Sequence, residues 1–295
     1  QSLPYRKDHT EHKIIASQEN DFCVIAASRR GRSHEHSGSF RDDDFFIDCN
    51  NGWSALIVAD GAGSAKLSRA GSKEASDAIG RIIIDKLKGE EGKTLSDLII
   101  KWDSEAQKTV HGKIYNLFQS AAKNAVESIE TASKNYGGLP RDLATTLLAA
   151  ISKKIGDKLF VASFWVGDGA IGAYRPNAKT DKIKILGIPD EGEYSGQTRF
   201  LDRSILSEQT GFNNRIRIGL LTDVKALILM TDGVSDPIFE TDNGLNDPKK
   251  WDDFWQEIAP LLSGEKSDEK LLDWLAFWSQ GNHDDRTIVI QSFGK

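Results

Sequence analysis

The aspartates of this chain recur in a pattern suited to holding metal ions. Asp60 directly follows the apolar run Ser54–Ala59 (SALIVA) and opens a turn of small residues, Gly61-Ala62-Gly63-Ser64. Asp232 follows a second run, ALILMT, and opens Gly233-Val234-Ser235-Asp236. Asp168 sits in Val166-Gly167-Asp168-Gly169 just after FVASFW, and Asp284-Asp285 immediately precede TIVI. Asp42, Asp43 and Asp44 form an acidic triplet before another apolar run. Carboxylates that converge within a few ångström cannot all stay ionised unless cations lie between them. Oxygen ligands without a His or Cys cluster select hard ions such as Mg²⁺ or Mn²⁺. Two such ions about 3.5–4 Å apart activate a water and clamp a phosphate for in-line attack. Glycine beside a ligand lets a backbone carbonyl or a substrate approach. Taken singly, each strand-Asp-Gly is also an ordinary hairpin signal. The 42–44 triplet also reads as a solvated turn, and Asp284-Asp285 as a strand cap. Repetition at five places is what points to metal chemistry.

Carboxylates at strand ends need strands to carry them. Short apolar runs of strand length, bounded by turn residues, occur at Phe22–Ser28, Phe45–Cys49, Ser54–Ala59, Leu147–Ile151, Leu159–Trp165, Ala170–Tyr174, Ile183–Ile188, Ile216–Leu221, Ala226–Met230 and Thr287–Gln291. Helical spacing of apolar residues predicts helices over Ala65–Leu87 and Val110–Ile129, and Trp-rich stretches predict two more near Trp251–Leu262 and Asp268–Ser279. Strands, two helices, many strands, two helices and a last strand make an α+β layered sandwich rather than a βαβ wound fold. Residues 1–20 are polar and irregular and read as a loose N-terminal arm or an edge segment. Residues 21–295 read as one domain, since no repeat, low-complexity tract or linker interrupts them.

Composition narrows the partners. The chain has 295 residues, enough to bury a core without a metal or disulfide staple, so any metal is functional rather than structural. A net charge of -6 argues against a nucleic-acid partner. Acidic charge around the site predicts poor turnover of very acidic peptides. The two cysteines, Cys23 and Cys49, lie in apolar strand-like surroundings and read as buried thiols in a reducing compartment. No run of about 18 apolar residues is present, and the polar, mixed-charge N-terminus is unlike a signal peptide. A cytoplasmic monomer is expected. The chain opens on Gln1 rather than Met, so its natural start is expected further upstream.

At the aspartate-bearing segments the sequence resembles the metal-dependent protein phosphatases (type 2C, PPM), in order over nearly the whole chain after the arm. Ile57-Val58-Ala59-Asp60-Gly61-Ala62-Gly63-Ser64 resembles the family's strand ending in an Asp-Gly metal motif. Ala144-Thr145-Thr146-Leu147 resembles its Gly-Thr-Thr strand start, and Val166-Gly167-Asp168-Gly169 its Val-Gly-Asp-Ser segment. Met230-Thr231-Asp232-Gly233-Val234-Ser235-Asp236 resembles its Ser-Asp-Gly motif with a second aspartate four residues on, and Asp284-Asp285-Arg286-Thr287 its closing Asp-Asn-x-Thr. Gly31-Arg32-Ser33-His34 with Gly38 and Asp43, and Gly192-Glu193-Tyr194 with Thr198 and Phe200, are similar to a bacterial subgroup.

The resemblance implies a four-layer α-β-β-α sandwich of two antiparallel sheets flanked by helices. It also implies a strand in Asp142–Lys153, where local propensity favours a helix. The implied function is hydrolysis of phosphoserine and phosphothreonine in proteins, by a hydroxide bridging two Mg²⁺ or Mn²⁺ ions and without a phosphoenzyme. Asp60 would bridge both metals, the carbonyl of Gly61 would bind one, and Asp232 and Asp284 would complete the set. Asp168 and Asp236 would hold a weaker third ion, and Asp43 would contact metal-bound water.

Three departures stand out. Gly38 occupies the position of the family's phosphate-gripping arginine, which leaves Arg32, His34 and Arg41 as nearby candidates, each also readable as a solvated loop residue. Asp42 replaces a Glu, and Asp285 replaces an Asn. The missing arginine at Gly38 and the changed acidic pair at Asp42 motivate a second reading, a catalytically weak phosphoprotein-binding or regulatory module on the same fold. A metal-dependent hydrolase of a phosphorylated small molecule ranks last. Segment Pro189–Arg215, polar and loop-like, is a candidate for specificity or a disordered insert.

Overall fold

Alternation inside the apolar runs decides how the layers stack. In the run Trp53–Ala59 every residue is buried, with Trp53, Ala55, Ile57 and Ala59 in one core and Leu56 and Val58 in another. A strand buried on both faces must lie between two layers. The run Ala226–Met230 divides the same way, with Leu227 and Leu229 on one side and Ala226, Ile228 and Met230 on the other. One core is shared by the two runs, and it is the seam between two sheets.

The structure is a computed structural model that describes residues 7–17, 21–187, 189, 198–207, 209–240 and 242–294. In chain order the elements are β1 (Thr10–Ser17), β2 (Phe22–Arg29), α1 (Arg32–Ser37), β3 (Asp44–Asn50), β4 (Trp53–Ala59), α2 (Ser68–Leu87), α3 (Glu90–Lys101) and α4 (Ser104–Asn135). Next come β5 (Leu147–Ile155), β6 (Lys158–Val166), β7 (Ala170–Tyr174), β8 (Ile183–Ile185), α5 (Arg203–Ser207), α6 (Gln209–Asn214), β9 (Ile216–Thr222) and β10 (Ala226–Met230). The chain closes with α7 (Asp232–Phe239), α8 (Asp242–Leu245), α9 (Pro248–Ile258), α10 (Ser267–Trp274) and β11 (Arg286–Phe293).

A six-stranded sheet runs β1-β2-β11-β10-β7-β8, and a five-stranded sheet runs β3-β4-β5-β6-β9. Every strand pairing is antiparallel. Helices α2, α3 and α4 cover the outer face of the five-stranded sheet through Ile79, Ile83, Leu95, Ile114 and Phe118. Trp251, Phe254 and Leu271 of α9 and α10 cover the six-stranded sheet. The result is the expected α-β-β-α sandwich. The segment 142–153 contains a strand, as the resemblance implied, because Leu147, Ala149 and Ile151 face the helices while Leu148 and Ala150 face the seam.

Two details differ from the sequence reading, α3 and α1, and for residues 1–20 the second of its alternatives, an edge segment, is the one found. Within residues 1–20, Thr10–Ser17 is the edge strand β1, paired along its length with β2, so this stretch belongs to the sheet. Helix α3 has no counterpart among the predicted elements. Part of the loop expected over 29–39 is the short helix α1, closed by Gly38 at φ 69°. Of the Pro189–Arg215 segment, 198–214 carries α5 and α6, whereas Gly192, Glu193 and Tyr194 lie outside the described residues. Cys23 and Cys49 are both free and half-buried, and burial pushes both thiols up, Cys49 to about 11. No helix among the described residues is long and apolar enough to cross a membrane.

Candidate metal centre

Antiparallel pairing is what brings the aspartates together. Ala59, the last residue of β4, pairs with Asp44, the first of β3, so Asp60 leaves one strand where Asp43 enters the next. Met230 pairs with Ile288, so Asp232 leaves β10 where Asp284 and Asp285 enter β11. Val166 pairs with Leu147, which sets the turn holding Asp168 beside the Thr145-Thr146 strand start. All of these ends lie at one edge of the sandwich, and contacts cross the seam there. The Thr231 hydroxyl of one sheet donates to Asp43 Oδ2 of the other at 2.8 Å, and the Asp60 and Asp232 carboxyls hydrogen-bond to each other.

Backbone contacts fix each turn. The Asp60 carbonyl accepts from the Thr146 amide and the Thr145 hydroxyl, both at 2.8 Å, and its amide donates to Thr146 Oγ1 at 2.9 Å. This gives the Ala-Thr-Thr motif a structural role: it clamps the main chain on either side of the Asp60 side chain. Thr198 donates to Asp168 Oδ2. Asp232 and Asp236 stand four residues apart on α7 and so share a face. Two glycines allow the turns to approach. A Cβ on Gly61 would come within 2.7 Å of the Asp42 carbonyl oxygen, and one on Gly233 within 1.9 Å of the Asp285 carbonyl oxygen. Gly233→Ala is therefore predicted to lower stability by about 2–3 kcal/mol through overpacking and to weaken Mn²⁺ binding. Chemical denaturation and calorimetry measure both effects, and an unchanged protein would contradict the tight approach.

The cluster is strongly acidic. Asp43 is 1% exposed, while Asp60, Asp168 and Asp232 are half-buried and Asp236 and Asp284 open to solvent. Burial, then Asp285 and Asp284, hold the Asp43 carboxyl well above the usual carboxylate range. Burial, then Asp43 and Asp232, do the same to Asp60. Asp232 is pushed up to about 7 by burial, with Asp168, Asp284 and Asp236 adding to it. Asp284 is raised by partial burial and by Asp285, despite its open side. Since Asp60 and Asp232 share one hydrogen bond, the proton belongs to the pair rather than to either residue.

These residues fit a divalent cation by three observations. Asp43 Oδ1 and Asp232 Oδ1 are buried with no hydrogen-bond donor among the described residues. The donor set is all oxygen, as Mg²⁺ and Mn²⁺ require. The raised carboxyls are those that a nearby cation would return to the ionised form. Among the described residues no three His, Cys, Asp or Glu side chains are gathered closely enough to hold an ion as they stand.

Asp285, the extra acid, is not a bystander. It is 2% exposed, and it accepts from the amides of Gly31 and Asp42, each at 2.5 Å. His34 Nδ1 lies 3.0 Å from Asp285 Oδ2, and its Nε2 lies 3.4 Å from Asp42 Oδ2. Burial alone would raise Asp285, but His34 and the two amides win and hold it below the usual range. Burial raises Asp42, with His34 and the Ser68 hydroxyl opposing it. The Asp285 carboxylate beside it lifts His34 to about 9, which favours the imidazolium form at neutral pH. In the metal-free protein, Asp285→Asn is predicted to bring the His34 titration back toward 6.5, its ordinary value. An NMR titration of the ring protons reads this directly, and an unmoved His34 would refute the pairing.

The three phosphate-binding candidates separate in space. His34 faces the carboxylates. Arg32 is exposed on a cavity wall that also includes Asp284. Arg41 corrects the sequence reading: it is fully buried, paired with Glu11 at 2.7 Å and donating to the Asp8 carbonyl, and so is committed to β1 rather than to a phosphate. Gly38, where the family's arginine would stand, ends α1 in the left-handed region at φ 69°, a conformation that disfavours arginine.

Sequence reasoning missed Lys7. Its Nζ donates to the Asp43 carbonyl at 2.5 Å and pairs with Asp44 Oδ2 at 2.8 Å, which braces the acidic triplet from below. No periodicity marks it, because it precedes the first strand.

The family model described as Protein phosphatase 2C matches residues 30–276. No curated protein matches the chain. Among solved structures, the Mycobacterium tuberculosis serine/threonine phosphatase PstP/Ppp aligns over 93% of this chain and 99% of its own at 17% identity, with a TM-score of 0.52. The PstP catalytic domain has also been solved with 2 manganese ions, at 17% identity, 93% and 99% coverage and a TM-score of 0.51. A serine-threonine phosphatase 2C from Toxoplasma gondii aligns over 96% of this chain and 99% of its own at 13% identity, TM-score 0.56. RsbX, solved with magnesium, aligns over 96% and 100% at 15% identity, TM-score 0.50.

Proposed function

Since this chain belongs to the protein phosphatase 2C family, we propose that it removes phosphate from phosphoserine and phosphothreonine in proteins, using a hydroxide that bridges two Mg²⁺ or Mn²⁺ ions. The single observation that carries this reading is the convergence of Asp43, Asp60, Asp232 and Asp284 at one sandwich edge with their carboxyls raised. Asp60 would lie between the two ions, the Gly61 carbonyl would bind one, and Asp232 and Asp284 would complete the set. Asp168 and Asp236, at the rim, suit a third and weaker ion. When bound, the ions supply an activated water and neutralise the phosphate.

The chain's own residues prepare the rest. The Thr231 hydroxyl fixes Asp43, which leaves its second oxygen to orient water. The Thr145 and Thr146 contacts hold Asp60 in place. His34, held beside Asp285 and Asp42, would take the place of the missing arginine toward the substrate phosphate. Direct attack by water is tested with ¹⁸O-labelled water in a single turnover with Mn²⁺. One labelled oxygen in the released phosphate and none on the protein is expected. Phosphate trapped covalently on the chain would overturn the mechanism.

A further inference from the structure

The cavity beside the carboxylate cluster is basic, although the chain as a whole carries a charge of -6. It encloses about 150 Å³, and Arg29, Arg30, Arg32 and Arg286 line it together with Glu35 and Asp284. Arg29 and Arg286 are direct cross-strand partners in the β2·β11 ladder, a placement that like charges ordinarily avoid. Arg286 is 8% exposed. Its Nη1 donates to the Leu275 carbonyl at 2.9 Å and to that of Phe277, and its guanidinium lies 3.7 Å from the Phe277 ring centre. Its Nε has no hydrogen-bond partner among the described residues. Arg30 donates to the Ser39 carbonyl at 2.9 Å. Neither Arg29 nor Arg32 pairs with an acidic side chain among the described residues.

Arginine stays protonated at any physiological pH, so four guanidiniums facing only two carboxylates, Glu35 and Asp284, leave the cavity with an excess of positive charge that favours an anion. Packing alone does not call for four. The cavity has room for one carboxylate or phosphate with a few waters. Its position selects the source. Asp284 stands on its wall, so an anion held there lies next to the phosphate under attack, within reach of the same peptide.

We propose that this cavity is a substrate subsite that captures an anionic group, a carboxylate or a second phosphate, on a residue flanking the phosphorylated Ser or Thr. It rests on the phosphatase reading of the adjoining cluster. It also reverses the expectation that acidic peptides are poor substrates: the cluster is acidic, but the space beside it is not.

The test uses phosphothreonine peptides that differ only at the flanking positions, which carry Ala, Glu or a non-hydrolysable phosphonate side chain. With Mn²⁺, the wild type is expected to turn over the anionic peptides with kcat/KM about tenfold above the Ala peptide, mainly through KM, as a charge-assisted contact would give. Arg29→Gln abolishes that preference while leaving p-nitrophenyl phosphate hydrolysis unchanged, because that substrate has no second anion. Arg32→Gln, at an exposed position that tolerates substitution, repeats the loss of preference. A gain with both Glu and phosphonate assigns the cavity to anions in general, and a gain with phosphonate alone assigns it to phosphate. Equal kcat/KM for all three peptides overturns the subsite. Calorimetry of the dephosphorylated peptides with metal-free protein separates the two readings. Tighter binding of the anionic peptides without turnover of any phosphopeptide keeps the subsite and removes the phosphatase reading. Turnover with no preference in either assay keeps the phosphatase and removes the subsite.

Discussion

Asp60→Asn and Asp232→Asn are each expected to lower Mn²⁺-dependent turnover by about a thousandfold, some 4 kcal/mol of transition-state stabilisation, while making the metal-free protein more stable. The two effects have one cause. Asp43, Asp60, Asp232 and Asp284 are each raised first by burial and then by neighbouring carboxylates of the cluster, Asp168, Asp236 and Asp285 included. An amide in place of either central carboxylate removes that repulsion, and with it a metal ligand. The sign with pH follows. A carboxyl raised in the folded state, as Asp232 is to about 7, keeps its proton where the unfolded chain has lost it. Stability in EDTA therefore falls as pH rises from about 4 to 7. The gain in the variants should be large at pH 8 and small at pH 5. Thermal melts in EDTA at both values, set beside rates in Mn²⁺, decide it. Variants that melt well below wild type at pH 8 would mean that the carboxylates serve as hydrogen-bonding struts rather than metal ligands.

The second large effect lies outside the cluster. Lys7→Met is expected to destabilise the protein by about 3 kcal/mol, because it takes the 2.8 Å ion pair from the buried Asp44 carboxylate and leaves only partial compensation by Lys73 and Arg41. Burial would raise Asp44, yet Lys7, Lys73 and Arg41 together bring it below its usual value. Lys7 responds the other way: burial outweighs the pull of Asp44 and lowers its pKa. The difference reflects unequal surroundings, since three cations converge on Asp44 while Lys7 also faces Arg41. If the pair matters as a pair, Lys7→Met with Asp44→Asn should recover much of the loss, as removing both charges leaves neither stranded. Denaturant unfolding of the two single variants and the double completes the cycle. Additive losses would show that Lys7 acts through packing alone. Turnover should fall with Lys7→Met as well, since Lys7 also holds the Asp43 carbonyl.

The strands were legible because most are buried on one or both faces and so read as short apolar runs ending in turn residues. The positions of the carboxylates were legible for the same reason: a fully apolar strand that ends on Asp-Gly, as at Ala59-Asp60-Gly61, leaves few other readings. Strand β1 was harder, since Glu11, His12, Lys13 and Ile14 at the sheet edge carry no clean alternation and are mostly exposed. Helix α3 fully buries only Gly92, Leu95 and Ile99, too short a stripe to stand out. The fate of Arg41 was not readable at all. Its partner Glu11 is thirty residues away, and only the pairing of β1 with β2 brings it near. Asp285 shows the remaining gap. As an acid in place of an amide it adds negative charge beside the site, and that charge is compensated by His34 and by two backbone amides that no local pattern announces.

Hydrolysis of a phosphothreonine peptide by the wild-type protein, first in EDTA and then with Mn²⁺ restored, tests the central claim most directly. No turnover in EDTA and full recovery on adding Mn²⁺ is the predicted result. Tight binding of the phosphopeptide with no turnover under either condition would contradict it and show that the fold serves recognition rather than catalysis.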